Sequence, residues 1–344
     1  MPPRGPMSAL TINSYVDHHK LILKLRPVMV NELYLAPALQ HPAYIFKDEM
    51  MHPVFVSGTT PAKDQIQSLI KNGIKEIFLY EVDAQKIRVN LETALTKITR
   101  SLSIGDPIEN GTKELKLLSI NMNNLYQNPH NDQLLKLQCQ STQNLSRFLI
   151  DNKKHQPEFF EQIAAENFHF TIAQPMLSSI LLLSYLQSIH LFADKEIENL
   201  FLASYLKDIG LSMIPRDKFD QNGLTDKERD LFANHANFST KILHGRIPLT
   251  SNYVTIIKHH HHLNEKLKQL IGKETTQHHD DLILGLETTL VGVFDMLVAM
   301  INERPYRRKT SLFKSLELIK KLMADDYPQE YKALIIFINQ FFKN

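Results

Sequence analysis

Phe201-Leu-Ala-Ser-Tyr-Leu-Lys-Asp-Ile-Gly-Leu-Ser-Met-Ile-Pro215 is the stretch around which the rest of the chain is organised. An apolar helix runs into the Lys207-Asp208 pair, breaks at Gly210 and resumes toward Pro215.

With 344 residues, the chain has room for two domains. At 43% hydrophobic and 22% charged residues it can bury a proper core. The net charge of +2, with no long basic run, gives no footprint for nucleic acid. A single cysteine, Cys139, excludes an intrachain disulfide framework and suits a reducing compartment. Residues 1–20 read as a disordered lead without the apolar core of a signal peptide. The most apolar run, Met176 to Ala193, is interrupted by Ser178, Ser179, Ser184, Gln187 and His190. That pattern predicts a buried helix, not a membrane span. The expectation is a cytoplasmic protein.

Residues 21–105 predict a small α/β module. Ala43–Phe46, Pro53–Val56 and Glu76–Tyr80 read as strands. Between them, Thr60 and Pro61 predict the start of a helix carrying Ile66, Leu69 and Ile70 and closing at Asn72-Gly73. Tyr44, Phe46, Phe55 and Tyr80 are read as core more readily than as a binding face. Residues 106–166 predict a helical connector, rich in Asn and Gln, packing on the next domain or on a second copy of itself. A loop is expected at Asn128–Asp132.

From 167 to 344 the pattern is helix after helix. Pro175 reads as the first turn of a helix to Leu191. Thr225 and Glu228 form a capping box. Further helices are expected over Asn252–His262, Asp281–Asn302, Ser311–Met323 and Pro328–Phe342. The fold class is therefore α+β: a small α/β module followed by an all-α bundle.

Sixteen histidines are present, and four are consecutive, His259 to His262, at the end of an apolar helix. Neighbouring imidazoles converge only where a helix ends. The run is either a solvated helix end or part of a mixed N/O metal site. His278-His-Asp-Asp281 reads as a polar loop.

Residues Asn167 to Tyr331 resemble the HD-GYP phosphodiesterases. The likeness rests on the Lys207-Asp208 turn, Ile214-Pro215, Leu224-Thr-Asp-Lys-Glu228, Asn234-His-Ala236, the helix ending in His259–His262, Val293-Phe-Asp295 and Glu303-Arg-Pro-Tyr-Arg307. The resemblance implies an HD-type helical domain. Its implied metal ligands are Asp208, His235, Asp295 and a histidine pair, either His259-His260 or His260-His261. The departures are specific. Lys207 stands where the family has the His of its His-Asp pair, and Gln174, or else His169, stands where it has an earlier His. Leu211 replaces a Lys, and no Gly-Tyr-Pro comes after the histidines.

These losses fall on one of the family's two metal positions. The resemblance thus implies one divalent metal, Fe, Mn or Zn, with the second position replaced by the Lys207 ammonium. Lys207 and Asp208 would carry whatever residual catalysis remains. The implied function is a non-catalytic or weakly active regulatory domain in cyclic di-GMP-type signalling. The alternative is a metal-dependent phosphodiesterase acting on cyclic di-GMP or another phosphodiester. Implied partners are a cyclic dinucleotide, signalling proteins and a second copy of the chain through the 112–165 helices.

Overall fold

The computed structural model describes residues 24–166, 168–215, 218–221, 223–270, 284–304 and 307–343. The expected lead at 1–20, the His278–Asp281 loop and the centre of the Arg304–Arg307 motif lie outside them. Two compact units result, Met1–Thr93 and Ala94–Asn344.

In the first unit, β1 (Leu25–Met29), β2 (Ala43–Lys47), β3 (Met50–Phe55) and β4 (Glu76–Tyr80) form one antiparallel sheet in the order β1-β4-β2-β3. A turn with positive φ at Asp48 and Glu49 joins β2 to β3, the backbone twist a tight hairpin needs. One face packs Val28, Ile77 and Leu79 onto Ile66 of α1 (Lys63–Lys71) and Ile87 of α2 (Glu81–Ser101). The opposite face gathers Leu25, Tyr44, Met51, Phe78 and Tyr80. Of the four aromatics read as core, Tyr44 and Phe55 are buried and Phe46 is exposed. Strand β1 is additional to the expected elements. Its Pro27 masks it, since proline is tolerated only at sheet edges, and β1 is an edge. The expected cap at Thr60 is corrected: Ala62 is the N-cap, and the Gln65 side chain accepts from its backbone N–H.

The second unit is helical. Helices α3 (Pro107–Gln127) and α4 (Asp132–Asp151) are capped by Asp106 and Asn131 and pack on each other. With α5 (Gln156–Ala165) they pack on the later helices of the same unit. Several of its Asn and Gln residues, Asn121, Asn123, Asn124 and Gln138 among them, are buried. Asn121 donates to Gln138 at 2.6 Å, and Gln138 donates to the Tyr205 hydroxyl at 3.0 Å.

Helix α6 (Phe170–Ile189) is the only described helix long and apolar enough to cross a membrane, and 72% of that window is buried. Pro175 lies inside α6, not at its start, because His169 caps the helix well before it. Helix α7 (Asp194–Leu206) leads to the Lys207-Asp208 turn and then to a 3-10 turn, Ile209–Met213. Next come α8 (Asp226–Ala233), with the expected Thr225–Glu228 box, and α9 (His235–Leu243). The single helix expected over 252–262 is two, α10 (Ser251–His259) and α11 (His262–Leu270). The break falls on His260-His261. Helices α12 (Leu286–Ile301), α13 (Leu312–Met323) and α14 (Pro328–Phe341) complete the bundle.

Glu114 of α3 is fully buried, accepting from Thr99 Oγ1 at 2.8 Å while its second carboxylate oxygen has no partner. Burial pushes its carboxyl up to about 8, against a smaller opposing effect of the Thr99 hydrogen bond. The folded state therefore keeps a proton that the unfolded chain loses near pH 4.5. The contribution is intact below pH 4.5, is lost as pH rises to about 8, and is flat above. Glu114→Gln is expected to remove this slope. In urea unfolding the variant should gain on the wild type by on the order of 3 kcal/mol between about pH 4.5 and 8.5. Parallel pH profiles would refute the assignment.

Candidate metal centre

The Lys207-Asp208 turn is clamped by close backbone packing. A Cβ on Gly210 would lie 2.0 Å from the His235 carbonyl oxygen, so only glycine lets the turn meet the start of α9. Gly210 N–H donates to Ser239 Oγ at 2.8 Å, and the Tyr126 hydroxyl donates to the Asp208 carbonyl at 2.9 Å. On the other side, a Cβ on Gly292 of α12 would lie 2.8 Å from the His260 carbonyl oxygen. Two glycines thus bring the metal-facing turns against their supporting helices.

Asp208, His235, His260 and His261 converge, with their ligand atoms all within 4.8 Å of one another. Asp208 Oδ1 lies 3.2 Å from His235 Nε2 and 3.1 Å from His260 Nε2. His261 Nε2 lies 3.1 Å from His235 Nε2. The opposite ring nitrogens fix the tautomers. His235 Nδ1 donates to the Phe232 carbonyl at 2.5 Å and His260 Nδ1 to the Ile257 carbonyl at 2.7 Å. In the neutral rings both Nε2 atoms therefore present lone pairs, and they face another acceptor, Asp208 Oδ1. A proton or a cation belongs between them. Backbone carbonyls on the far nitrogen are what metal-binding imidazoles use to hold their orientation. Asn264 Nδ2 donates to His261 Nδ1 at 2.8 Å, which fixes the third ring in the opposite tautomer, with its proton on Nε2 facing His235 Nε2. Three imidazole nitrogens and one carboxylate fit a divalent transition metal.

Electrostatics agree with the geometry. Burial opposes ionisation of Asp208, yet Lys207 and hydrogen bonds from His235 and His260 hold its carboxyl well below the usual range. Burial also opposes protonation of His235, but its hydrogen bond to Asp208 and that group's charge raise it. His261 is driven far down by burial and by the charges of His260 and His235, so it stays a neutral ring.

Beside this acceptor-rich half lies a donor-rich one. Lys207 is fully buried, with Nζ 2.6 Å from Asp208 Oδ2 and 2.8 Å from Asp295 Oδ1. Burial alone would strip its proton; the two carboxylates outweigh it and raise Lys207 above its ordinary value. Gln174 Nε2 donates to Asp295 Oδ1 at 2.8 Å, Arg304 donates to Gln174 Oε1, and the Arg304 guanidinium sits over the Phe170 ring.

The structure thus brings together Lys207, Asp208, His235, His260, His261 and Asp295. Asp295 meets the cluster through Lys207 and not as one of the four convergent ligands. Of the two candidate pairs, His260-His261 is the one that converges. His259 is corrected: it ends α10, its carbonyl accepts from His262 Nδ1, and it stays outside the cluster. His169 caps α6 and meets Asp220, so Gln174 is the residue facing Asp295. Asn264, Tyr126 and Arg304 were not singled out for these contacts. Arg304 falls within the Glu303–Arg307 motif, and Asn264 lies one turn past His261, at the start of α11.

A cavity of about 800 Å³ opens onto Asp208, His235, His261 and Asp295. Its wall carries Phe170, Phe219 and Phe232 with Lys218, Arg229, Arg304 and Arg307. Such a volume suits a small-molecule ligand.

The HD domain family profile matches residues 158–329, half of the chain, and the chain belongs to the HD domain family. Among solved structures, Bd1817, described as a HDG"Y"P protein from Bdellovibrio bacteriovorus, shares its fold. The TM-score is 0.60 at 15% identity, covering 93% of this chain and 100% of that one. No curated protein matches the chain.

His235→Ala, His260→Ala or His261→Ala should each lower Zn²⁺ or Mn²⁺ affinity at least roughly tenfold, whereas His259→Ala should leave it unchanged. Equilibrium dialysis with mass-spectrometric metal counting checks this. A loss in His259→Ala equal to the others would show the cluster to be drawn wrongly.

Proposed function

We propose that this protein is a one-metal, catalytically impaired HD-GYP-type regulatory domain that answers a cyclic dinucleotide in cytoplasmic signalling. The observation that carries the reading is the Lys207 ammonium seated between Asp208 and Asp295. A cation there balances two buried carboxylates that would otherwise raise each other's pKa and cost stability. The remaining set, Asp208, His235, His260 and His261, would hold one ion, Fe, Mn or Zn. When bound, that ion supplies Lewis-acid polarisation of an oxygen ligand. Phosphodiester chemistry with two ions stabilises both the attacking and the leaving oxygen, and Lys207 takes the place of one of them.

Lys207 and Asp208 thus contribute charge balance and orientation in place of a second activated water. The cationic and aromatic cavity wall supports binding of an anionic ring-bearing ligand. Signalling proteins, including a second copy of the chain, are the proposed recipients of its state. A second reading, retained phosphodiesterase activity, is favoured by the opening of the same cavity onto Asp208 and His235.

Metal counting on protein purified without chelator, paired with a cyclic di-GMP hydrolysis assay, separates the two readings. About one ion per chain without product is expected. Two ions with product would return the protein to the enzymes, and no ion would leave a fold kept for its surface.

Lys207→Met provides an independent check, because it leaves Asp208 and Asp295 facing each other. It should cost about 3–5 kcal/mol in urea unfolding, and excess Mn²⁺ should restore part of the loss. A variant as stable as the wild type in chelator would contradict the counter-ion role.

A further inference from the structure

An unbroken line of polar contacts runs from the cavity wall to the metal-facing carboxylate. Arg304 donates to Gln174 Oε1, Gln174 Nε2 donates to Asp295 Oδ1 at 2.8 Å, and Lys207 bridges Asp295 Oδ1 and Asp208 Oδ2. Asp208 then turns its other oxygen to His235 and His260. Gln174 and Lys207 stand where the resembled family carries histidines, so the line belongs to this chain. We propose that it makes the affinity of the Asp208 cluster for a divalent metal respond to a phosphodiester anion held at Arg304. The inference rests on the metal-centre reading above.

The chemistry gives the line a direction. A guanidinium only donates, so Arg304 compels the Gln174 amide to present its oxygen outward and its NH₂ inward to Asp295. Asp295 Oδ1 therefore shares its lone pairs between Gln174 and Lys207. The Lys207 ammonium is in turn divided between two carboxylates, at 2.6 and 2.8 Å. When Asp295 loses the Gln174 donor, it takes a larger share of Lys207. Asp208 is then less neutralised and becomes the better ligand for a cation.

Arg304 is placed to start this sequence. It lines the cavity with Arg307, to which it is tied by reciprocal backbone hydrogen bonds at 2.9 and 3.0 Å. Its guanidinium lies 4.7 Å from the centre of the Phe170 ring. An anion entering the cavity competes with Gln174 for the same N–H donors, and charge-assisted bonds to phosphate are the stronger ones. Arg304 and Gln174 are positioning residues in this scheme, acting on Asp208 through Asp295 and Lys207.

The test is calorimetric titration of Co²⁺ into wild type, Gln174→Met and Arg304→Met, each with and without bis(4-nitrophenyl) phosphate. Without the diester, both variants should bind Co²⁺ about fivefold tighter than wild type, the worth of one net hydrogen bond. The diester should tighten Co²⁺ binding in the wild type and add markedly less in Gln174→Met, where the line is already cut. Two variants guard against one of them folding poorly. If both variants match the wild type, or the diester acts equally on wild type and Gln174→Met, the line is overturned while the metal centre stands. A wild type that binds no Co²⁺ overturns the metal centre and this proposal with it.

Discussion

The ammonium of Lys207, fully buried between two carboxylates, is the constraint on which the rest of the centre depends. A charge removed from water is tolerated only where fixed partners replace its hydration. Lys207 has Asp208 from its own turn and Asp295 from α12, so the ion pair ties two distant segments at the centre of the bundle. Each carboxylate has a further duty, Asp208 toward the histidines and Asp295 toward Gln174. No member can move without unbalancing another.

Backbone packing makes that arrangement rigid. Gly210 and Gly292 each sit where a single methyl group would collide with a carbonyl of a histidine-bearing segment. Tyr126, from the connector, holds the Asp208 carbonyl, and Arg246 of the α9–α10 link grips Asp132 and the Pro129 carbonyl. The Asn- and Gln-rich connector is therefore part of the wall behind the metal turn. Inside it, Asn121 and Gln138 hydrogen-bond to each other and Gln138 reaches the Tyr205 hydroxyl.

Much of this was legible in the sequence where the signal is local. The capping box at Thr225, the hairpin strands and the apolar run of α6 arise from nearest-neighbour chemistry. So does the Lys207-Asp208 turn, legible as the end of an apolar helix broken at Gly210. What escaped depends on long-range contacts. Pro175 sits within a helix whose start is set by a cap at His169, and β1 is an edge strand hidden by its own proline. Four like residues in a row carry no register of their own. Their register comes from Ile257 and Gly292, which receive His260 from opposite sides. The link from Arg304 to Gln174 joins residues 130 positions apart, and no periodicity reports it.

The centre divides by proton count. On one side stand groups that only donate toward it: Lys207, the Gln174 amide NH₂ and, behind it, Arg304. On the other stand the Asp208 oxygen and two Nε2 atoms whose rings already give their Nδ1 protons to backbone carbonyls, so each Nε2 meets Asp208 only with an added proton or cation between them. Lysine and histidine are not equivalent replacements in such a place. The ammonium brings its own charge and needs no ion, whereas a neutral imidazole brings a lone pair and needs one. Putting lysine at 207 therefore settles the donor half with protein charge alone. The unmet demand for a cation is left to the half that holds the histidines.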